Sequence, residues 1–221
     1  MAALETIEHQ TGPNPAATVI ILHGLGADGN DFVPIAQELD LSAIGPVRFV
    51  FPSAPARPVT LNGGYVMRAW YDILGTDLVR REDEAGLRES QAQVSALIDR
   101  ERTRGVAANR IVLGGFSQGC AMTFMAGLRY PERLAGLLGM SGYLPLAATT
   151  AAERSAANAD LPIFQAHGSA DPMIQIGRAT ASRDALVALG YPVEWHAYPM
   201  PHSVCAEEVA DMNRWLLRVL G

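Results

Sequence analysis

The sequence contains no lysine: all 17 of its basic residues are arginine. A Walker A phosphate loop needs a lysine to reach the β- and γ-phosphates, so that type of nucleotide site is excluded. The same absence excludes a lysine Schiff base and a serine–lysine nucleophile pair of the penicillin-binding type. Any nucleophile in this chain must therefore be activated by another kind of side chain.

Cysteine is also scarce, with only Cys120 and Cys205 in 221 residues. Neither belongs to a CxxC pair or has a histidine at metal-ligand spacing, so no metal site is predicted and a reducing compartment is favoured. The segment MAALETIEHQ at the start lacks the basic and apolar parts of an export signal. The longest clean apolar run, residues 16–22, is too short to span a bilayer. We therefore expect a cytoplasmic protein without integral membrane association.

Charge and composition favour a globular domain. A net charge of −6 without a basic stripe argues against nucleic acid and anionic membranes as the main partners. The hydrophobic content of 49% suits a large apolar core. The length fits one domain over residues 1–221, and no linker, repeat or low-complexity tract divides it.

Apolar runs alternate with amphipathic segments along the chain. Strands are predicted at residues 18–22, 48–51, 110–113, 134–140, 162–166 and 193–198, and helices at residues 31–39, 84–104, 118–128, 176–189 and the C-terminus. This alternation predicts an α/β fold, in which a mostly parallel twisted sheet carries helices on both faces. Residues 52–77 contain prolines and aromatic residues but form no predicted element. An irregular stretch of that length favours a functional loop.

The segment GFSQG, residues 115–119, lies directly after a predicted strand and before a predicted helix. A GxSxG pattern alone is a weak signal. Its position predicts a nucleophile elbow, a sharp strand-to-helix turn with Ser117 at its tip and glycines that permit the turn. An ordinary glycine-rich turn is the alternative interpretation.

A serine hydroxyl needs a base to remove its proton. The candidates are His9, His23, His167, His196 and His202. His202 follows the last predicted strand, at the carboxyl edge of the sheet, where α/β proteins place their sites. It is therefore the leading base. His23 and His167 each precede a glycine at a strand end, where we expect structural hydrogen bonds.

Asp171 follows the strand before His202, so it lies at the same edge of the sheet. A turn or helix cap formed with Pro172 is the alternative interpretation of this aspartate. The order Ser117, Asp171, His202 is nevertheless the chain order of an α/β-hydrolase triad. The oxyanion donors are predicted to be two backbone N–H groups, that of Gln118 at the helix start and that of Leu25 in the loop HGLGADG.

With their neighbours, these residues resemble the phospholipase/carboxylesterase family, which includes bacterial carboxylesterases and acyl-protein thioesterases. Similar segments follow one another over nearly the whole chain: ILHGLGADGNDF (21–32), FPSAP (51–55), VTLNGG (59–64), MRAWYDI (67–73), GGFSQG (114–119), SGYLP (141–145), HGSADPMI (167–174) and YPMPHS (198–203). The resemblance implies an α/β-hydrolase fold without a large cap domain and cofactor-free hydrolysis of carboxylic esters or thioesters. It places the triad and the oxyanion donors on the residues predicted above.

The resemblance also implies that the acyl groove lies along the segment around Trp70, where Leu61, Met67, Trp70 and Tyr71 would shelter an acyl chain. Anchoring of this loop by its own aromatic side chains is the alternative. Two positions depart from the family pattern. Pro201 stands where glycine usually precedes the catalytic histidine, which stiffens that loop, and Cys120 stands where a second glycine often follows the elbow.

Together these observations predict a carboxylesterase that works through a serine acyl-enzyme and needs no cofactor. Acyl-protein thioesterase and lysophospholipase are the alternatives within the enzyme class. A non-catalytic ligand-binding protein on the same fold is the alternative outside it. The expected partners are a small-molecule ester or thioester, an acylated protein or a lysolipid, with a homodimer as a further candidate.

Overall fold

The computed structural model describes residues 3–75 and 82–221. Its strands are β1 (Thr6–Gln10), β2 (Ala17–Leu22), β3 (Val47–Pro52), β4 (Ala56–Val59), β5 (Tyr65–Arg68), β6 (Ile111–Phe116), β7 (Gly136–Met140), β8 (Ile163–Gly168) and β9 (Val193–Tyr198). Its α-helices are α1 (Val33–Gln37), α2 (Glu84–Thr103), α3 (Gln118–Gly127), α4 (Ala147–Glu153), α5 (Ile176–Ala188) and α6 (Ala206–Leu220). Short 3₁₀ turns occupy Ser42–Ile44, Thr60–Asn62, Ala108–Arg110 and Ala156–Asn158.

Seven strands form one sheet in the order β1–β3–β2–β6–β7–β8–β9. Only β1 is antiparallel to its neighbour, and every other adjacent pair is parallel. The carboxyl ends of the parallel strands therefore meet along one edge. This arrangement confirms the mostly parallel sheet that the sequence predicts.

Strand β2 shows how the sheet acquires a core on each face. Its residues alternate in direction, as in any strand. Ile20 and Leu22 belong to one buried cluster with residues of α2, α3 and α5, whereas Val19 and Ile21 belong to a second cluster with residues of α1 and α6. All six residues of β2 are buried, which is why the strand reads as a continuous apolar run.

Two features differ from the sequence prediction because their strands lack a buried apolar run. Strand β1 was not predicted: three of its five residues are exposed, and it pairs only at the edge of the sheet. Part of the predicted irregular stretch is a hairpin of β4 and β5, joined by residues 60–64 with positive φ at Gly63 and Gly64. Residues 76 and 77 at the end of that stretch lie outside the described residues.

Two smaller differences concern helices. The predicted helix at residues 31–39 is reduced to the five residues of α1, and the alanine-rich connection after β7 contains α4. In the described part of the chain, no helix combines the length and the apolar character needed to cross a membrane.

Candidate active site

Ser117 stands at the tip of the turn between β6 and α3. Its φ of 56° and ψ of −115° lie outside the regions that side chains with a Cβ normally adopt. The strained backbone is held by the Ser117 N–H, which donates to the carbonyl of Met140 at 2.9 Å. A serine held in this way projects its hydroxyl from the carboxyl edge of the sheet, as a nucleophile elbow requires.

The two glycines of the motif are required by close backbone approach. A Cβ on Gly115 would lie 2.4 Å from the carbonyl carbon and oxygen of Gly119, and one on Gly119 would lie 2.1 Å from the carbonyl oxygen of Leu22. All three atoms belong to the backbone, so no side-chain movement relieves the clash. The GxSxG spacing is therefore a steric requirement of the turn.

Asp171 and His202 are joined by a hydrogen bond of 2.6 Å between Oδ2 and Nδ1. The other carboxylate oxygen of Asp171 accepts the N–H groups of Met173 at 2.8 Å and Ile174 at 2.9 Å. The Asp171 side chain is fully buried and the His202 side chain is 17% exposed. A buried carboxylate with these donors is well suited to fix the tautomer of the imidazole and to stabilise its charged form.

His202 is also placed next to the elbow. Its ring lies 4.7 Å from that of Phe116, the residue before Ser117, measured between centroids. Within the described residues Ser117 Oγ and His202 form no hydrogen bond; in many enzymes this contact tightens only when substrate is bound. The structure thus pairs the predicted acid and base and packs the ring of the base against Phe116, the residue before the predicted nucleophile.

One predicted oxyanion donor lies at the start of α3, directly after Ser117, and the other lies in the loop after β2. Gln118 is the first residue of α3, where a backbone N–H has no carbonyl partner inside the helix. Leu25 lies in the loop after β2, and no acceptor of its N–H is found among the described residues. The next N–H, that of Gly26, donates to the carbonyl of Arg68 at 2.9 Å, which ties this loop to β5.

Known proteins resemble this chain over nearly its full length. The profile of the phospholipase/carboxylesterase family matches residues 3–220. The chain is 40% identical over 237 residues to acyl-protein thioesterase 1 of Mycosarcoma maydis, covering 100% of this chain and 99% of the relative. It is 41% identical over 205 residues to acyl-protein thioesterase 1 of Yarrowia lipolytica, covering 90% of each.

The chain belongs to the phospholipase/carboxylesterase family.

Solved structures support the same conclusion. SOBER1 of Arabidopsis thaliana superposes with a TM-score of 0.88 at 31% identity, covering 93% of this chain and 99% of that one. Acyl-protein thioesterase 2 of Zea mays superposes with a TM-score of 0.85 at 30% identity, covering 97% and 99%. This phospholipase/carboxylesterase family member has the α/β-hydrolase fold and is a hydrolase of esters or thioesters.

The segment that the resemblance assigns to the acyl groove divides into a buried part and an exposed part. Trp70 is fully buried and Tyr71 is 3% exposed. The Gln118 side chain accepts from the Trp70 N–H at 2.8 Å and donates to the Tyr71 carbonyl at 2.7 Å. The backbone of these two residues is therefore tied to the Gln118 side chain at the elbow, and their aromatic side chains are buried.

The exposed part lies on the hairpin. Leu61 is 39% exposed, and Met67 is half-buried, with its sulfur 3.7 Å from the place where a Cβ on Gly26 would stand. Tyr65 and Val66 are 69% and 59% exposed. The hairpin thus presents apolar side chains beside the loop that carries Leu25.

Sequence reasoning missed how firmly His23 organises this family member's site. Its Nδ1 donates to the Gly24 carbonyl at 2.6 Å, and its Nε2 accepts the Ala54 N–H at 2.9 Å. The Trp70 indole donates to the His23 carbonyl at 2.9 Å. Burial lowers the pKa of His23 and keeps it neutral, so it can accept and donate at once. The HG pair signals a structural histidine but does not identify these partners.

Among the described residues, neither His9 nor His196 forms a hydrogen bond or an ion pair with the predicted triad. His9 is on the edge strand β1, and His196 on β9 is 3.0 Å from Glu194.

Cys120 is fully buried and fills space behind the elbow, and its burial raises the pKa of its thiol. No cluster of three or more potential metal ligands occurs within residues 3–75 and 82–221.

Proposed function

We propose that this enzyme hydrolyses the thioester of an acylated protein through an acyl-enzyme on Ser117. The observation that carries the proposal is the identity of about 40% over nearly the full length to proteins named acyl-protein thioesterase. These relatives favour the thioesterase alternative over the general carboxylesterase that the sequence alone suggested. The strained elbow and the Asp171–His202 pair support the serine mechanism.

In the proposed mechanism, His202 takes the proton of the Ser117 hydroxyl as the oxygen attacks the thioester carbonyl. The C–O bond forms, the carbonyl π electrons move to oxygen, and the N–H groups of Leu25 and Gln118 bind the resulting anion. Collapse of the tetrahedral intermediate breaks the C–S bond, and His202 returns its proton to the leaving thiolate. Water then attacks the acyl-serine by the same steps and releases the carboxylic acid.

Asp171 acts through His202 in this scheme. Its buried carboxylate holds the ring with Nδ1 protonated, so that Nε2 is free to accept the serine proton. When His202 becomes an imidazolium, the adjacent negative charge stabilises it. The carboxylate keeps its own hydrogen bonds from the backbone throughout and need not accept a proton.

The acyl chain is proposed to lie along the hairpin. Leu61 and Met67 offer apolar contact next to the loop of Leu25, while the buried Trp70 and Tyr71 tie the following segment to Gln118 at the elbow. Asp72 strengthens the arrangement, because its carboxylate accepts the Thr60 N–H at 2.7 Å and so joins the hairpin to the following segment. An apolar surface of this kind favours medium or long acyl chains over acetyl groups.

A substrate panel tests the proposal. Matched oxygen esters and thioesters of increasing acyl length are compared by kcat/KM, with an S-acylated peptide as the protein-like substrate. We expect the thioesters and the acylated peptide to be preferred, with an optimum beyond the short chains. Replacing both Leu61 and Met67 by serine should flatten the length dependence, whereas Val187→Ser, an exposed apolar residue on α5, serves as the control.

The other candidate functions give different results. A preference for short oxygen esters would restore the carboxylesterase, and turnover confined to lysolipids would indicate a lysophospholipase. Ser117→Ala should remove turnover of every substrate while leaving the circular dichroism spectrum unchanged. Ligand binding without turnover, together with failure of a fluorophosphonate to label Ser117, would indicate a binding protein and overturn the proposal.

A further inference from the structure

Two histidines converge on the same oxygen of Asp171. His202 Nδ1 lies 2.6 Å from Oδ2, and His167 Nε2 lies 3.3 Å from that oxygen. His167 Nε2 also lies 2.7 Å from the Ile174 carbonyl. The side chains of His167 and Asp171 are both fully buried.

The contacts of His167 define its hydrogen positions. A carbonyl oxygen is only an acceptor, so Nε2 must carry a hydrogen, which it donates to the Ile174 carbonyl, while Asp171 Oδ2 is a close electrostatic contact of the same N–H group. The other nitrogen, Nδ1, is buried and has no hydrogen-bond partner among the described residues. A second proton there would be an unsatisfied buried donor. In agreement, burial lowers the pKa of His167, so the ring is neutral near pH 7.

The backbone explains why these groups meet. His167 is the next-to-last residue of β8, and Asp171 lies in the loop that immediately follows. A Cβ on Gly168 would stand 2.4 Å from the carbonyl oxygens of Met200 and Pro201. Only a glycine at position 168 lets the loop that carries His202 pass so close to the end of β8. The loop that carries Asp171 and the loop that carries His202 are therefore in close contact at the end of β8, next to His167.

We propose that His167 is a positioning residue of the triad, whose neutral imidazole holds Asp171 in place for His202. The ring restrains the carboxylate at Oδ2 and the turn of residues 171–174 at the Ile174 carbonyl. Because it adds no charge, it leaves the negative charge of Asp171 available to the imidazolium of His202. This inference rests on the proposed serine mechanism for its kinetic consequences, but its geometric claim is independent of any substrate.

The kinetic test is a double-mutant cycle. His167→Leu removes the donor, and His167→Gln keeps an N–H near the position of Nε2. We expect His167→Leu to lower kcat by about 10- to 100-fold with little change in KM, because the Asp171 carboxylate loses the polar N–H group beside Oδ2 and its turn loses the hydrogen bond at Ile174. His167→Gln should recover most of this. In an Asp171→Asn background, His167→Leu should cost less than about threefold, because its partner is already altered.

His196→Gln is the matched control, because it replaces a histidine on β9 that contacts Glu194 rather than the triad. It should leave kcat unchanged. An equal loss from His167→Leu in the wild-type and Asp171→Asn backgrounds would show that His167 only supports the fold, and it would overturn the proposal. An unchanged kcat in His167→Leu would do the same.

A second measurement needs no turnover and remains valid if a variant is less stable. In ¹⁵N NMR of the folded protein, His202 should be held as the Nδ1–H tautomer in the wild type and in His167→Gln. In His167→Leu it should become a mixture of tautomers, and an unchanged spectrum would contradict the proposal. If the wild type hydrolysed no ester or thioester, the proposed function would fail, while this spectrum would still decide the role of His167.

Discussion

Gly119 shows how a single residue type limits the site. It is the second residue of α3, and its missing side chain leaves room for the carbonyl of Leu22, 2.1 Å from where a Cβ would stand. Gly177 occupies the same position in α5, yet nothing lies within 4 Å of its added Cβ. The two glycines therefore form a matched pair in which only the surroundings differ.

From this pair we predict opposite outcomes for the same substitution. Gly177→Ala should be neutral or stabilising by up to about 1 kcal/mol, since alanine is the better helix former. Gly119→Ala must displace backbone and should lower both the unfolding midpoint and kcat/KM for thioesters. Urea unfolding and kinetics of both variants check this. Equal behaviour of the two variants would mean that the elbow tolerates a wider turn than the structure shows.

Glu208 is a fully buried carboxyl whose oxygens have no hydrogen-bond partner of normal geometry among the described residues. Burial raises its pKa to about 8, the N–H of Cys205 acts in the opposite direction, and the charge of Asp211 adds to the rise. In the unfolded chain the pKa returns to the ordinary value of 4.5. Between these values the folded state holds a proton that the unfolded state has lost.

The contribution of Glu208 to stability falls as the pH rises from about 4.5 to about 8. Raising the pH through this window favours the unfolded state, so Glu208 makes the protein less stable above about pH 8 than below about pH 4.5. Glu208→Gln should remove this contribution and raise the free energy of unfolding at alkaline pH relative to the wild type. Urea unfolding of both proteins across the window measures the difference. Parallel pH profiles would contradict the assignment.

The triad residues could be predicted individually because each follows a strand at the same sheet edge. Ser117, Asp171 and His202 were found from strand positions and chain order, and the structure joins two of them by a hydrogen bond. Their catalytic roles stay predictions until tested. The roles of Trp70 and His167 could not be derived from spacing, because they depend on which backbone groups the side chains reach after the loops have folded.

At the scale of elements, the buried carboxylate of Glu101 links α2 to strands β2 and β3. Glu101 has no exposed side-chain surface and accepts from Arg48 on β3 at 2.6 Å, Arg104 at 2.8 Å and Thr18 on β2 at 3.1 Å. The Arg48 side chain is only 7% exposed. A buried ion pair with additional hydrogen bonds of this kind is costly to break from one side.

We therefore predict that Glu101→Gln lowers the free energy of unfolding by about 3 kcal/mol or more, because it leaves the Arg48 charge buried without a counter-ion. Asp160→Asn is the control, since the Arg133–Asp160 pair has side chains 36% and 82% exposed and is screened by water. Urea unfolding at low and high salt separates the two cases. Equal small effects would show that Glu101 is not the link between helix and sheet.

Strands and helices were predicted well where an apolar run or an apolar stripe at helical spacing indicated that the element is buried. Strand β2 and helix α6 were identified for that reason, since α6 buries Val209, Met212 and Leu216 along one face. Strand β1 and the β4–β5 hairpin were not predicted because their residues are largely exposed. In addition, β1 pairs with a strand that is distant along the chain, and the strands of the hairpin are short. Edge strands carry little of the periodicity that sequence patterns detect.

At the scale of the whole molecule, the parallel sheet gathers the chemistry at one edge. The loops after β2, β6, β8 and β9 carry the predicted oxyanion, nucleophile, acid and base residues, and the closely packed Gly119 and Gly168 let these loops touch. None of this chemistry requires lysine: the arginines described form ion pairs, as Arg48 does, stack on aromatic rings, as Arg178 does, or donate to backbone carbonyls, as Arg110 does. A single domain, a cytoplasmic location and a homodimer stay predictions.

The most direct test of the account is the mass of the enzyme during turnover. The protein is mixed with a long-chain acyl thioester, quenched with acid within the first turnover and measured by intact mass spectrometry and peptide mapping. The account predicts a mass increase of one acyl group, located on Ser117 and absent from Ser117→Ala. Acylation of Cys120 or Cys205 instead, or product formation without any acyl-enzyme on Ser117, would contradict it.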